Sequence, residues 1–226
     1  MKMNIQNNYI TVNQYSRPKI AIKAVKGVVI HWVANPNSSA QANRNYFEGL
    51  KVGKKNSNGS MIYASSHYIV GLEGEVVACI PENEMAYHAS SANGTHLGIE
   101  VCHKDWEGQF TSPTYEALIE LVADICKRYK LNPLTDVIRH YDVTGKNCPQ
   151  YYVSHNEAWV QLKNDVNKRL EKEVITQITI QLNGKEKQVS TINIDETHYI
   201  KLRDLADDHI DIGYDKEKKM PVVTIK

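Results

Sequence analysis

The chain has 226 residues, enough for one domain with a sizeable hydrophobic core and a small second domain. Its 27 Lys and Arg residues nearly balance its 26 Asp and Glu residues, and no block of like charges occurs, so nucleic acid is not expected as a partner. No stretch is apolar over the roughly 20 residues that cross a bilayer, which argues against membrane insertion.

The N-terminal stretch MKMNIQNNYITVNQY has no apolar centre of the kind found in secretory signals. We therefore expect a chain made in the cytoplasm without a signal peptide. The cysteines form no C-x-x-C pair and do not indicate a disulfide framework. We expect three of the four to act as small buried apolar residues, the four being Cys79, Cys102, Cys126 and Cys148.

The first strong pattern is the run AVKGVVIHWVA at residues 24–34, which is apolar and rich in β-branched side chains. It predicts a buried strand that carries His31 near its end. Ser38 or Ser39 then caps a predicted helix. We expect the inner face of that helix to carry Ala42, Tyr46, Phe47 and Leu50.

The middle of the chain predicts three further strands. YASSHYIVGLEGEVVACIP is typical of two strands joined by a tight turn between Gly71 and Gly74. THLGIEVCH predicts another apolar strand that contains Glu100. Because an unpaired carboxylate is costly to bury, Glu100 is expected to face a cleft or a cation.

Two long helices are predicted after this point, and a short strand lies between them. SPTYEALIELVADICKRYK predicts a helix capped by Ser112, with Cys126 on its apolar stripe. DVIRH predicts a strand that ends at His140 and is followed by a loop over residues 141–151. SHNEAWVQLKNDVNKRLEKE predicts a helix that begins with a capping box of Ser154 and Glu157.

The sequence pattern changes after residue 172. Strands and helices alternate up to that point, which favours an α/β domain over residues 1–172. Residues 176–226 instead contain four short alternating segments that predict strands, in TQITIQLNG, KQVSTINID, HYIKL and PVVTIK. We interpret them as a separate small β-rich module.

Three residues at the ends of predicted strands or in loops are candidates for a zinc site. Catalytic zinc is usually held by three protein ligands and keeps a fourth position for water. His31, His140 and Cys148 suit that requirement. Taken singly, however, each histidine could equally be a buried residue bonded to a carbonyl, and Cys148 a buried loop thiol, so the spacing alone leaves both interpretations open.

Five ordered blocks resemble the type-2 N-acetylmuramoyl-L-alanine amidases, zinc enzymes that include bacteriophage endolysins and are similar to peptidoglycan recognition proteins. The blocks are VVIHWVAN, SSHYIV, AYHAS, LGIEVCH and RHYDVTGKNCPQ, and the resemblance covers about residues 20–170. It implies an α/β fold with a mixed central β-sheet, flanking helices and a zinc cleft. It also implies that His31, His140 and Cys148 bind zinc.

The same resemblance implies roles for residues near the ligands. Glu100 matches the acidic residue that activates the attacking water and passes its proton to the leaving amine. Lys146 is placed to stabilise the oxyanion, and His88 matches a cleft histidine that contacts substrate. Each residue also has a structural alternative. Glu100 could be a strand carboxylate paired with a lysine, Lys146 an exposed loop lysine, and His88 a loop histidine packed beside Tyr87.

Two neighbouring side chains are expected to be structural. Asp142 keeps the His-x-Asp pattern of the family and is expected to anchor its loop. His67 is interpreted as a strand residue and not as a fourth ligand. A purely structural zinc site would need a fourth protein ligand, and the sequence offers none at a suitable spacing.

The resemblance predicts a hydrolase that cleaves the amide between N-acetylmuramic acid and the L-alanine of the peptidoglycan stem peptide. The alternative hypothesis is a non-catalytic peptidoglycan-binding protein of the recognition type. A chain without a signal would act at the bacterial wall after release through holin lesions, as a phage or prophage endolysin does. For residues 176–226 the two hypotheses are wall binding and formation of a homo-oligomer.

Overall fold

The computed structural model describes residues 5–194, 197–218 and 220–226. The chain divides into two compact units, the first extending to Arg169 and the second beginning at Leu170. No helix within the described ranges has the length and apolar character needed to cross a membrane. The two units are described separately.

The first unit contains a six-stranded sheet and the helices that flank it. In sheet order its strands are β1 (Ile5–Asn7), β4 (Val76–Ala78), β3 (Tyr68–Val70), β5 (His96–Val101), β2 (Gly27–Trp32) and β6 (Val137–Arg139). β3 and β4 pair antiparallel, while the other neighbours pair parallel. The predicted α/β fold with a mixed central sheet is therefore confirmed.

Six α-helices occur in the part of the chain that the structure describes. They are α1 (Ala40–Gly49), α2 (Ser112–Tyr129), α3 (Pro133–Asp136), α4 (His140–Thr144), α5 (Gln150–Ser154) and α6 (Asn156–Val174). Short 3₁₀ turns occupy Leu50–Val52 and Ser90–Ala92.

Strand β2 lies inside the sheet, between β5 and β6, and all six of its residues are buried. A strand covered on both faces has a continuous apolar sequence, which GVVIHW provides except at His31. In the pairing with β5, His31 stands opposite Glu100. The fold therefore places two ionisable side chains side by side on one face of the sheet.

The predicted inner face of α1 is confirmed at Phe47 and Leu50, which are buried, and is wrong at its two other positions. Ala42 and Tyr46 are exposed, whereas Asn43 and Arg44 are buried together with Ala40 and Phe47. The amide of Asn43 donates to Ser38 Oγ at 2.8 Å, and the Arg44 guanidinium donates to the carbonyls of residues 8 and 9 at 2.9 and 2.7 Å. These polar side chains can be buried because their hydrogen bonds are satisfied, those of Asn43 by the nearby Ser38 and Ser39 and those of Arg44 by a distant segment of the chain. Ser39 caps the helix, one of the two predicted caps.

Helix α2 has Pro113 in its first turn, and its cap is Thr111 and not the predicted Ser112. Thr111 Oγ1 accepts the backbone N–H of Thr114 and donates to the carbonyl of Leu72 in the turn between β3 and β4. The tertiary hydrogen bond to that turn favours Thr111 over its neighbour. Cys126 is buried on the inner stripe of α2, as predicted.

The predicted loop over residues 141–151 contains regular structure. His140–Thr144 forms α4, which starts where Asp142 Oδ2 accepts the Arg139 backbone N–H at 2.8 Å and ends at Gly145 in the left-handed region with φ 76°. Ser154 is the last residue of α5 and does not cap α6, which begins at Asn156. The predicted Ser154–Glu157 capping box is therefore wrong.

The second unit consists of two antiparallel sheets. β7 (Ile175–Leu182), β8 (Lys185–Ile194) and β9 (Thr197–Ile200) form one, and β10 (Ile210–Asp215) and β11 (Met220–Ile225) form the other. Asn183 and Gly184, both with positive φ, make the two-residue turn between β7 and β8. A β-rich C-terminal module is confirmed, although the sequence pattern missed β10. A 3₁₀ turn at Leu202–Leu205 lies between β9 and β10.

Candidate metal centre and active site

The structure brings together the three residues that were predicted as metal ligands. His31 comes from β2, His140 is the first residue of α4, and Cys148 lies between α4 and α5. One ligand atom from each residue lies within 4.8 Å of the other two. Residues 117 positions apart in sequence thus converge on one point, with His31 Nδ1 3.8 Å from Cys148 Sγ.

Two observations fit a metal ion at this point: a ring nitrogen of His140 that has no hydrogen-bond partner in the described part of the chain, and the chemistry of the three donor atoms. His140 Nδ1 is buried and has no hydrogen-bond partner in the described part of the chain. A buried polar atom in this state costs about 1–3 kcal/mol, which coordination would offset. Two imidazoles and one thiolate suit zinc, whereas magnesium and calcium prefer oxygen ligands.

The electrostatics of the histidine ligands favour their neutral, metal-binding form. Burial lowers the pKa of His31 well below its ordinary value, and the charges of His88, His140 and Lys146 act in the same direction. Burial, together with the charge of Lys146, lowers the pKa of His140 to about 4. Both imidazoles therefore carry a free lone pair at neutral pH.

Cys148 is buried, and burial raises the pKa of its thiol to about 12, with the Glu100 charge adding to the rise. A hydrogen bond from the backbone of Trp32 and the charge of Lys146 oppose that rise. A coordinated metal ion stabilises the thiolate far more strongly than these groups do. We therefore expect metal binding to release the thiol proton.

The segment between His140 and Cys148 is closed by short-range hydrogen bonds. The backbone N–H of Tyr141 donates to the Cys148 carbonyl at 2.9 Å, and the Cys148 N–H donates to the Lys146 carbonyl at 2.7 Å. Asp142 accepts from the Arg139 guanidinium at 2.8 Å. Asp142 thus holds the start of the segment, the anchoring position expected of it.

Glu100 stands on β5 beside His31, and its Oε2 atom is buried without a hydrogen-bond partner in the part of the chain that the structure describes. Burial raises the pKa of Glu100 to about 8, although the positive charge of Lys146 opposes this rise. Lys146 is exposed, and its charge also acts on His31, His140 and Cys148. A carboxyl group that exchanges protons near neutral pH and a cation thus flank the three ligands.

His88, the predicted substrate-contact residue, lies against His31. Its Nδ1 is 3.1 Å from His31 Nε2, and its Nε2 is 3.1 Å from the carbonyl oxygen of His96. Burial is the main cause that lowers the pKa of His88 to about 3, so the ring is neutral. Sequence reasoning placed His88 in the cleft but missed this contact, because no spacing rule relates a loop residue to a strand 57 positions earlier.

His67 has a structural role, as expected. Its Nδ1 accepts the backbone N–H of Gly98 at 2.9 Å, and its Nε2 lies 2.9 Å from the carbonyl oxygen of Glu84. Both ring nitrogens are thus occupied by backbone groups, which leaves His67 no atom to offer as a fourth ligand.

The family model described as N-acetylmuramoyl-L-alanine amidase matches residues 22–151, more than half of the chain. The chain belongs to this family. The matched region spans all three candidate ligands, Glu100 and Lys146, so the predicted resemblance to type-2 amidases is confirmed.

Two bacterial members of the family are similar to this chain over most of its length. The chain is 34% identical over 184 residues to the N-acetylmuramoyl-L-alanine amidase BlyA of Bacillus subtilis (strain 168), and the alignment covers 73% of this chain and 47% of BlyA. It is 34% identical over 202 residues to the N-acetylmuramoyl-L-alanine amidase CwlL of Bacillus licheniformis, and that alignment covers 84% of this chain and 54% of CwlL. The chain thus spans about half the length of these curated relatives.

Solved structures share the amidase fold. The catalytic domain of XlyA aligns with a TM-score of 0.58 and 23% identity over 73% of this chain and 99% of that one. The Staphylococcus aureus hydrolase AmiA, solved in complex with its ligand, aligns with a TM-score of 0.59 and 19% identity over 76% of this chain and 86% of the AmiA chain. At these identities the likeness concerns the fold.

Proposed function

We propose that this amidase-family protein hydrolyses the amide bond between the lactyl group of N-acetylmuramic acid and the L-alanine of the peptidoglycan stem peptide, with a zinc ion held by His31, His140 and Cys148. One observation carries the proposal: a group of three ligands converges beside Glu100 in the region that matches the amidase family. Zinc bound there would polarise the scissile carbonyl and acidify a water molecule.

Within this proposal Glu100 moves the proton. As a carboxylate it accepts a proton from the attacking water and then delivers it to the nitrogen of L-alanine as the C–N bond breaks. The products are the lactyl carboxylic acid and a free amino end. The raised pKa of Glu100 supports both steps, because a group that titrates near neutral pH can accept a proton and return it.

Lys146 supplies positive charge where negative charge develops. Attack on the carbonyl produces an oxyanion, and a cation that already stands beside the ligands stabilises it without rearrangement. Lys146 lies on the short segment that ends at Cys148, so its position is tied to the site through the Cys148 N–H to Lys146 carbonyl hydrogen bond of 2.7 Å.

The complete ligand set favours hydrolysis over the alternative of a non-catalytic wall-binding protein. Binding of peptidoglycan alone requires neither a metal with an open position nor a buried carboxyl group beside it. Here three residues that could hold a metal, His31, His140 and Cys148, lie beside the buried carboxyl group of Glu100, which supports the hydrolytic proposal.

We further propose that the protein acts at the bacterial cell wall, where its substrate is found, and that the β-rich module over residues 176–226 binds the wall. Formation of a homo-oligomer is the alternative for this module. Two measurements on the full chain and on a chain that ends at residue 175 test the choice. Pelleting with purified walls measures wall binding, and sedimentation measures the oligomeric state. Origin as a phage or prophage endolysin released through holin lesions stays a prediction.

Mass spectrometry of digested peptidoglycan tests the proposed reaction. An amidase leaves intact glycan strands and free L-alanine amino ends, whereas a binding protein leaves the polymer unchanged. Chelation is expected to abolish the release of amino ends, and added zinc to restore it. Cleaved glycosidic bonds, or activity that survives complete chelation, would contradict the proposal.

A further inference from the structure

His31 uses only one of its two ring nitrogens toward Cys148. The other, Nε2, lies 3.1 Å from Nδ1 of His88. The rings meet edge to face, with centroids 5.2 Å apart and planes at 86°. The second nitrogen of His88 lies 3.1 Å from the carbonyl oxygen of His96. Three groups therefore form a chain that ends at the candidate metal site.

The direction of these hydrogen bonds follows from the group at the far end. A carbonyl oxygen can only accept, so Nε2 of His88 carries a hydrogen, and Nδ1 is the ring nitrogen left to accept. His31 Nε2 must then donate, which leaves the lone pair of His31 on Nδ1. Nδ1 is the nitrogen that lies 3.8 Å from Cys148 Sγ.

We propose that His88 is a positioning residue that holds His31 as its Nε2–H tautomer and thereby presents Nδ1 to the metal. This inference rests on the metal-site part of the proposed function. Hydrogen bonding to the second nitrogen of a metal-bound histidine fixes its tautomer and ring orientation and makes it a stronger ligand. The proposed role differs from direct contact with substrate, which the sequence predicted for His88.

The fold holds His88 in this position from two sides. The side-chain oxygen of Asn93 accepts the backbone N–H groups of His88 and Ala89 at 2.9 and 2.7 Å, which fixes the backbone. On the opposite side the ring lies over Gly98, where a Cβ atom would stand 2.5 Å from Cγ of His88. Glycine at residue 98 therefore makes room for the ring.

Variants of the full-length chain separate positioning from substrate contact. His88→Leu removes the acceptor, and we expect zinc affinity to fall by about 10- to 100-fold, as it does when such outer partners are lost elsewhere. His88→Asn keeps an oxygen acceptor near the position of Nδ1 and should retain most of that affinity. His155→Leu changes an exposed histidine of the same unit and serves as the matched control. Circular dichroism checks that each variant folds.

Nitrogen-15 NMR of the histidine rings provides a readout that does not depend on activity. Metal-free wild-type protein should show His31 protonated at Nε2, and His88→Leu should show a mixture of both tautomers. Gly98→Ala, which displaces the His88 ring from a fixed backbone, should reproduce the weakened zinc affinity. These expectations hold even where His88→Leu reduces the amount of folded protein.

Two results would overturn the inference: His31 protonated at Nδ1 in the metal-free wild type, or unchanged zinc affinity in folded His88→Leu. If His88→Leu also showed a raised KM for wall fragments at unchanged zinc affinity, substrate contact would be restored as the role of His88. Failure of the proposed function looks different, because the wild-type chain would then bind no stoichiometric zinc while the tautomer of His31 could still be measured.

Discussion

His31 and Glu100 occupy paired positions on the adjacent parallel strands β2 and β5. Paired residues on neighbouring strands project their side chains to the same face of the sheet. A candidate metal ligand and a candidate proton carrier are thus held side by side by backbone hydrogen bonds, and not by flexible loops. The distance between them is set by the rigid sheet, which is the arrangement that a preorganised site requires.

Substitution of Glu100 should separate metal binding from turnover. Glu100→Gln has nearly the same shape but cannot accept the proton, so we expect bound zinc to be retained while kcat falls by about 10²- to 10⁴-fold. Release of amino ends from purified walls and elemental analysis measure the two effects. Glu73→Gln, in the exposed turn between β3 and β4, is the control. Normal lysis by zinc-loaded Glu100→Gln would exclude Glu100 as the base.

Removal of a ligand should be visible in metal content. In His140→Ala and Cys148→Ala we expect stoichiometric zinc to be lost, because each leaves only two of the three donors that lie within 4.8 Å of one another. Cys126→Ala removes a buried thiol from α2 and should keep its zinc. Full zinc retention in Cys148→Ala would show that the thiolate is not a ligand.

Lys146 should affect rate but not metal content. Loss of one group that stabilises an oxyanion typically costs about 10²- to 10³-fold in kcat, and we expect a decrease of this size for Lys146→Ala. Zinc content should stay at the wild-type level, because Lys146 donates no ligand atom. Lys104→Ala, another exposed lysine, is the control. An unchanged kcat would mean that the oxyanion is stabilised by other groups.

Glu48 should make folding stability depend on acid pH. Burial disfavours its ionised form, but hydrogen bonds from Lys51 and Thr11 and the charge of Arg44 outweigh this and lower its pKa to about 2. A lowered carboxyl pKa stabilises the folded state above the ordinary value of 4.5, and this contribution is lost as the pH falls from about 4.5 toward 2.

Urea unfolding at several pH values measures this contribution. Glu48→Gln should be less stable than the wild type at pH 7, and the difference should shrink as the pH falls through that window. Glu73→Gln, whose side chain is exposed, should follow the wild-type curve. A difference between Glu48→Gln and the wild type that stays constant from pH 7 to pH 2 would contradict the assignment.

Several features of this protein could be predicted from its sequence by itself. Apolar runs of β-branched residues identified strands β2 and β5, and the apolar stripe of α2 placed Cys126 in the core. The order of motifs along the chain identified the family. These features depend on local periodicity or on linear order, and both are complete in the sequence.

The tertiary structure alone decided which polar groups meet. Arg44 is buried in α1, and Thr111 caps α2, because their partners come from elsewhere in the chain. The contact between His31 and His88 has the same origin. A polar side chain can be buried only where another group satisfies its hydrogen bonds, and that partner is specified by the folded sheet and its loops, not by distance along the sequence.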